Sequence, residues 1–214
     1  MNSFQKTICR IFGIKIPESI SYHQQRIIDI ALSELETGKI VLVGDSITEG
    51  WTQTRLLPNN VINYGISGDT TVGVHDIVPL IINAKPAKVI INIGINDISF
   101  KNTAWTYYYK EFLKKLVARI EPKNIILCAV RPVNYLMPVP KKIGYINNVA
   151  VKYVNGVIQS YAFDHGCIYE PNTYTCHILS YPIDETLNPD HTHDGIHMTQ
   201  KGYEAELEVL QKYL

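Results

Sequence analysis

The chain has 214 residues, 46% of them hydrophobic and 19% charged, which supplies one sizeable core and little surplus for a second. Its 20 Lys and Arg balance its 20 Asp and Glu, so no net field exists to draw in nucleic acid or an anionic membrane surface, and neither is expected as a partner. Cys9, Cys128, Cys167 and Cys176 show no CxxC spacing, and no run approaches the roughly twenty apolar residues of a membrane span; a reducing, cytoplasmic setting is expected.

At the N-terminus the apolar patch from Ile8 to Ile16 is broken by Cys9, Arg10, Gly13 and Lys15 and is followed by no small-residue cleavage site, so a signal peptide is not expected. A helix from Ile20 to Leu35, ended by Gly38, makes residues 1–38 an extension packed outside the core. Lys39-Ile40-Val41-Leu42-Val43 is β-branched, apolar and too short for a helix, hence a strand. Val61 to Tyr64, Val89 to Ile93, Ile125 to Val130 and Cys167 to Tyr169 read as four more. Helical period appears in Trp105, Tyr109, Phe112, Leu116 and Ile120, then in Ile143, Ile146, Ala150, Tyr153, Val157 and Tyr161, and last in Tyr203, Leu207, Leu210 and Leu214. Near-continuous apolar strands alternating with helices predict an α/β chain, a three-layer α/β/α sandwich on a five-stranded parallel sheet. No linker or repeat interrupts the alternation, so residues 1–214 are expected to form one domain with its core at about 39–214.

Two connections break the pattern. Arg131 to Lys142 carries Pro132, Pro138 and Pro140 and is not expected to be helical, and Glu170 to His193 has little periodicity. Both should emerge at the carboxyl edge of the sheet as walls of a binding cleft, with Asn134, Asn172, Thr173, Thr175 and Asn188 as polar groups.

The chemistry concentrates at strand ends. Gly44-Asp45-Ser46-Ile47 follows the first strand, so Ser46 hangs off its carboxyl end, where open parallel sheets collect ligands. Asp194-Gly195-Ile196-His197 spaces a carboxylate and an imidazole so that one tight turn can hold both. Serine, histidine and aspartate together activate a hydroxyl, which makes acyl transfer the leading reading. Each group also has a plainer use: Ser46, Asn96 and Asp97 as helix caps, Gly68 as a turn glycine, and Asp45, Asp69 and Asp97 as loop braces. Gly65-Ile66-Ser67-Gly68 looks like half a nucleophile elbow, but Asp69 stands where G-x-S-x-G needs glycine, so a looser, shallower site is expected. His191, His193 and His197 crowd one segment without a matching ligand cluster elsewhere, so no metal is expected and His191 and His193 read as solvated. Tyr107-Tyr108-Tyr109 point different ways on a helix and read as packing rather than as a platform.

Four blocks, namely Gly44-Asp45-Ser46-Ile47, Asn63-Tyr64-Gly65-Ile66-Ser67-Gly68-Asp69 and Gly94-Ile95-Asn96-Asp97 after the first three strands and Asp194-Gly195-Ile196-His197 before the last helix, resemble in order and content the SGNH, or GDSL, hydrolase family from Lys39 to the C-terminus. The resemblance implies a flavodoxin-like sheet, Ser46 as nucleophile, Asp194 and His197 completing the triad, and Ser46, Gly68 and Asn96 as the oxyanion hole, with no cofactor. Arg131-Pro132-Val133-Asn134-Tyr135 resembles a family loop beside the acyl pocket, making Asn134 and Tyr135 substrate-binding candidates. Met198 departs from the proline or leucine often found after the histidine. The activity implied is hydrolysis of small acyl esters, acetyl or short-chain. A lysophospholipase or thioesterase, a carbohydrate O-acyltransferase and a non-catalytic binding module on the same fold are the alternatives. A neutral surface permits self-association without requiring it.

Overall fold

Five apolar runs form one all-parallel sheet in the order β2-β1-β3-β4-β5, with β1 at Ile40–Gly44, β2 at Val61–Gly65, β3 at Lys88–Asn92, β4 at Ile125–Cys128 and β5 at Ile168–Glu170. The computed structural model describes residues 21–33, 37–178 and 185–214. Every residue of β1 and β4 is buried, which is why these strands are continuously apolar rather than alternating. All five lie within two residues of the bounds expected from sequence.

The described helices are α1 Tyr22–Leu32, α2 Ser46–Thr54, α3 Val78–Asn83, α4 Ile95–Ser99, α5 Trp105–Val117, α6 Pro138–Ile143, α7 Asn148–His165, α8 Asn172–Thr175 and α9 Gln200–Leu210. Helix α2 packs on β1 and β2 and against α9, whereas α3, α5 and α7 pack in succession, α7 lying on β4 and β5. Right-handed crossovers that reverse direction after β1 put these two groups on opposite faces, which gives the three layers.

Three expectations need correcting. The first helix ends at Leu32, because Ser33 is extended, so Gly38 is not its cap; Gly38 takes φ +78° in the turn before β1. The stretch from Ile8 to Ile16, with Cys9, lies outside the described residues. Residues 138–143 are helical despite two prolines, since Pro138 occupies the first turn, where its missing N–H would have had no partner. Helix α7 buries Val151, Val154, Asn155, Ile158 and Ala162, while Tyr153 is exposed, so its inward face is rotated from the one the apolar spacing suggested.

Strand order reverses at β1: the chain leaves it for β2 on one side and returns to β3 on the other. The crevice outside the carboxyl ends at such a reversal is where this architecture binds ligands. Gly44 pairs in register with Gly65 and with Asn92, so the loops after β1, β2 and β3 start side by side.

Candidate active site

Ser46 is the first residue of α2, directly after β1, with Asp45 as the N-cap. Its backbone N–H is therefore one of the helix's unpaired first-turn donors. Its Oγ lies 3.0 Å from His197 Nε2, across 151 residues of sequence. The other ring nitrogen, His197 Nδ1, lies 2.6 Å from Asp194 Oδ2. Asp194 Oδ1 accepts from the backbone N–H of His197 at 2.8 Å and of Ile196 at 2.9 Å. The hydroxyl, imidazole and carboxylate thus form one hydrogen-bonded line.

The loop that presents Asp194 and His197 is pinned from two sides. The Thr192 hydroxyl, buried, donates to the His197 carbonyl at 2.8 Å and accepts from the Gly195 N–H at 2.9 Å. Gly195 sits at φ +98°, and a Cβ there would fall 2.7 Å from the Asn134 carbonyl oxygen, so only glycine lets this turn close on the segment after β4. Burial alone would raise the Asp194 carboxyl; the His197 ring and the two backbone amides outweigh it and hold the group below the usual carboxylate range, ionised beside the imidazole.

The loops that start side by side after β1, β2 and β3 carry Ser46, Gly68 and Asn96. Gly68 is the third residue of the turn Ile66-Ser67-Gly68-Asp69, closed by the Asp69 N–H on the Ile66 carbonyl at 3.0 Å. Its φ of +80° suits glycine at that position of the turn, as the turn-glycine reading expects. Asn96, in the first turn of α4, donates from Nδ2 to the Asp69 carbonyl at 2.8 Å, which orients the amide and leaves its second hydrogen uncommitted. Among the described residues, the N–H groups of Ser46 and Gly68 donate to no protein acceptor.

The three aspartates of these loops act as braces. Asp97 accepts from the Thr71 N–H at 2.9 Å, the Thr71 hydroxyl at 2.8 Å and Asn102 Nδ2 at 2.6 Å. Asp69 accepts from the Thr70 N–H at 2.9 Å. Asp45 accepts from the Ile47 N–H at 3.0 Å. Burial pushes the Asp45 carboxyl up to about 6, against the Ile47 amide and the positive charge of Arg131. A raised carboxylate stabilises the fold fully below about pH 4, where the unfolded chain also holds its proton, and loses that contribution as pH rises through about 6, a change of about 3 kcal/mol. Asp45→Asn keeps the cap and removes the titration. In urea unfolding it should therefore gain on the wild type by up to about 3 kcal/mol between pH 4 and pH 7, whereas two parallel stability curves would contradict this origin of the shift.

A hollow of about 520 Å³ opens beside Ser46 and His197. Its floor is Tyr203, whose hydroxyl donates to the Ile47 carbonyl at 2.8 Å, and Gly50 permits that approach. Along α2 the lining residues Ser46, Gly50, Gln53 and Thr54 follow the four- and three-residue steps of one helical stripe, so the hollow runs about 10 Å from the hydroxyl. His193, Met198 and Gln200 form the opposite wall. Gln53, Gln200 and Glu49, discussed below, were missed in the sequence, although a stripe starting at Ser46 was available once α2 was known to begin there.

The two substrate-binding candidates lie elsewhere. Asn134 is buried, its Nδ2 donating to the Leu187 carbonyl at 3.2 Å and its Oδ1 accepting from the Leu136 N–H at 3.3 Å. Tyr135 borders a separate hollow with Asn147, Lys152 and Glu185. Of residues 170–193, only His193 lines the hollow at Ser46, among those described. Thr173 is buried with its hydroxyl on the Ala129 carbonyl at 2.9 Å, and Asn188 caps the turn at Pro189–His191. His191 is half-buried rather than solvated, its Nδ1 lying 3.1 Å from His177 Nδ1. Among the described residues, no three His, Cys, Asp or Glu side chains converge as a metal ion would require, and no helix is long and apolar enough to cross a membrane.

Comparison with known proteins follows the same lines. No curated protein matches the chain by sequence. Among solved structures, a GDSL-like lipase from Bacteroides thetaiotaomicron superposes with a TM-score of 0.75 at 24% identity, over 89% of this chain and 95% of that one. A lipase/acylhydrolase from Enterococcus faecalis gives 0.62 at 24% identity, over 83% and 96%. An acetyl xylan esterase gives 0.63 at 16% identity, over 82% and 99%. These likenesses establish the fold. The sequence pattern of the GDSL-like lipase/acylhydrolase family matches residues 42–205, a span holding all four blocks, and the chain belongs to that family of ester-hydrolysing enzymes.

Proposed function

We propose that the protein is a serine esterase that cleaves small acyl esters, acetyl or short-chain, through an acyl-serine intermediate formed on Ser46. The observation that carries this reading is the unbroken line from Ser46 Oγ to His197 Nε2 at 3.0 Å and from His197 Nδ1 to Asp194 Oδ2 at 2.6 Å. In this reading Ser46 Oγ attacks the ester carbonyl while His197 Nε2 takes its proton. The new oxyanion is held by the N–H groups of Ser46 and Gly68 and by Asn96 Nδ2. Collapse breaks the ester C–O bond, and His197 returns the proton to the departing alkoxide. Water then repeats the sequence, freeing the carboxylic acid and restoring Ser46. Asp194 holds the imidazole in the tautomer that accepts at Nε2 and stabilises the imidazolium.

The hollow supports a polar alcohol as the leaving group. Its lining includes His197 and His193 but neither Gly68 nor Asn96, so it lies on the side where the proton is delivered to the leaving group. Among the described residues its lining has no Lys, Arg, Asp or Glu, which favours a neutral hydroxylated alcohol, such as a sugar, over a phosphate-bearing head group. An acetyl xylan esterase among the structural neighbours is consistent with an acetyl ester. Cys128, Cys167 and Cys176 are unpaired thiols, in keeping with a reducing, cytoplasmic setting.

A chain-length series tests the acyl preference. With p-nitrophenyl acetate, butyrate and octanoate, kcat/KM should not rise from acetate to octanoate, since surplus methylenes left in water gain none of the about 0.8 kcal/mol each that burial would supply. A profile rising toward octanoate would assign the site to long-chain acylhydrolysis instead.

A further inference from the structure

The family pattern begins at residue 42, yet the side chains that grip the turn carrying Gly68 come in part from α1, ahead of it. Glu49, one turn into α2 from Ser46, accepts at Oε2 from the Ser67 N–H at 2.6 Å and from the Ser67 hydroxyl at 2.6 Å. Its other oxygen accepts from the Tyr22 hydroxyl and lies 3.8 Å from Arg26 Nε. Arg26 in turn donates to the Asn63 and Gly65 carbonyls of edge strand β2, each at 3.1 Å. At the far end of the turn, His23 Nε2 stands 3.4 Å from Asp69 Oδ1. Asp69 is the residue whose carbonyl receives the Asn96 amide.

We propose that α1, through Tyr22 and His23, together with Glu49, is a positioning brace for the oxyanion hole, so that activity depends on a helix outside the matched family segment. The inference rests on the reading of Gly68 and Asn96 as oxyanion donors. Gly68 is exposed, and nothing lies within 4 Å of where its Cβ would be, so its own packing does not hold the turn. Two of the three donors hang on residues 66–69: the Gly68 N–H directly, and Asn96 through the Asp69 carbonyl. Stabilising an oxyanion requires donors fixed beforehand to within about 0.5 Å, and Glu49 supplies that by binding both polar groups of Ser67 with one carboxylate oxygen. Tyr22, His23 and Glu49 do not line the hollow beside Ser46, which the brace reaches only through Ser67. The brace should act on the transition state and leave ground-state binding alone.

The test uses the full chain with Glu49→Ala and the milder Tyr22→Phe, reading kcat and KM on p-nitrophenyl acetate, inhibition by methylboronic acid as a tetrahedral mimic, and thermal unfolding. The expected result is a fall in kcat of roughly ten- to a hundredfold for Glu49→Ala and a smaller fall for Tyr22→Phe, with KM within about threefold and boronate inhibition weakened in step with kcat. Should Glu49→Ala fail to fold, Tyr22→Phe carries the test alone. Wild-type kcat and wild-type boronate inhibition in the folded variants, with Ser46→Ala inactive, would overturn the brace and leave the esterase reading standing. Turnover that survives Ser46→Ala would overturn both.

Discussion

Replacing Asp194 by asparagine is expected to cut kcat about 10⁴-fold while leaving the protein folded. Asp194 Oδ1 accepts two backbone N–H groups, from Ile196 and His197, and only a carbonyl oxygen can keep both. The asparagine amide must therefore turn its NH2 toward His197 Nδ1, which makes that nitrogen an acceptor and puts the ring proton on Nε2, facing Ser46. A base already carrying its proton cannot take another from the hydroxyl. His197→Ala, which removes the base outright, should cost at least as much. Steady-state kinetics beside a thermal melt decide the matter: an Asp194→Asn enzyme within tenfold of wild-type kcat would show that the carboxylate does not set the tautomer.

The largest effect on stability is expected at Glu206. Arg131, just past β4, and Glu206, on α9, form a buried two-point ion pair with both side chains about 2% exposed. His177 Nε2 lies 3.2 Å from the same carboxylate. Burial alone would raise the Glu206 carboxyl; the charge of Arg131 and the hydrogen bonds from His177 and Arg131 reverse this and hold it well below the usual carboxylate range. Glu206→Ala strands a guanidinium inside the protein and should cost about 3 to 5 kcal/mol, roughly 6 to 20 °C in Tm for a chain of this size. Substituting both partners by apolar residues, Arg131→Met with Glu206→Leu, should recover most of that loss, because the penalty comes from the orphaned charge. A single variant that melts with the wild type would contradict this account. The pair also reaches the site: His177 continues to His191, which begins the segment leading to Thr192 and His197.

Which parts of this arrangement were visible in the sequence follows from the range of the interactions involved. Parallel strands buried on both faces must be continuous apolar runs, so Ile40 to Val43 and its four counterparts stood out. Ser46, Gly68 and Asn96 were visible because they follow β1, β2 and β3 in short blocks, and Asp194 with His197 because both fall in one block just before the last helix. Helix α7 was misread because Asn155 faces inward, accepting from the Val130 N–H at 2.7 Å and donating to its carbonyl at 2.9 Å. A buried amide that pairs with backbone is invisible to a count of apolar residues. Asn134 and Tyr135 look equally polar in the sequence, and only folding shows that one is spent bracing the segment after β4 while the other borders a different hollow. The link from Tyr22 through Glu49 to Ser67 joins three separate stretches and has no local signature.

The central claim is that Ser46 Oγ becomes covalently bonded to the acyl carbon, and trapping that oxygen tests it most directly. Treatment with a fluorophosphonate followed by peptide mass spectrometry should place one phosphonyl group on the peptide containing Ser46, with labelling lost in Ser46→Ala and slowed by orders of magnitude in His197→Ala. A label on any other residue, or undiminished labelling of the Ser46→Ala protein, would contradict the account.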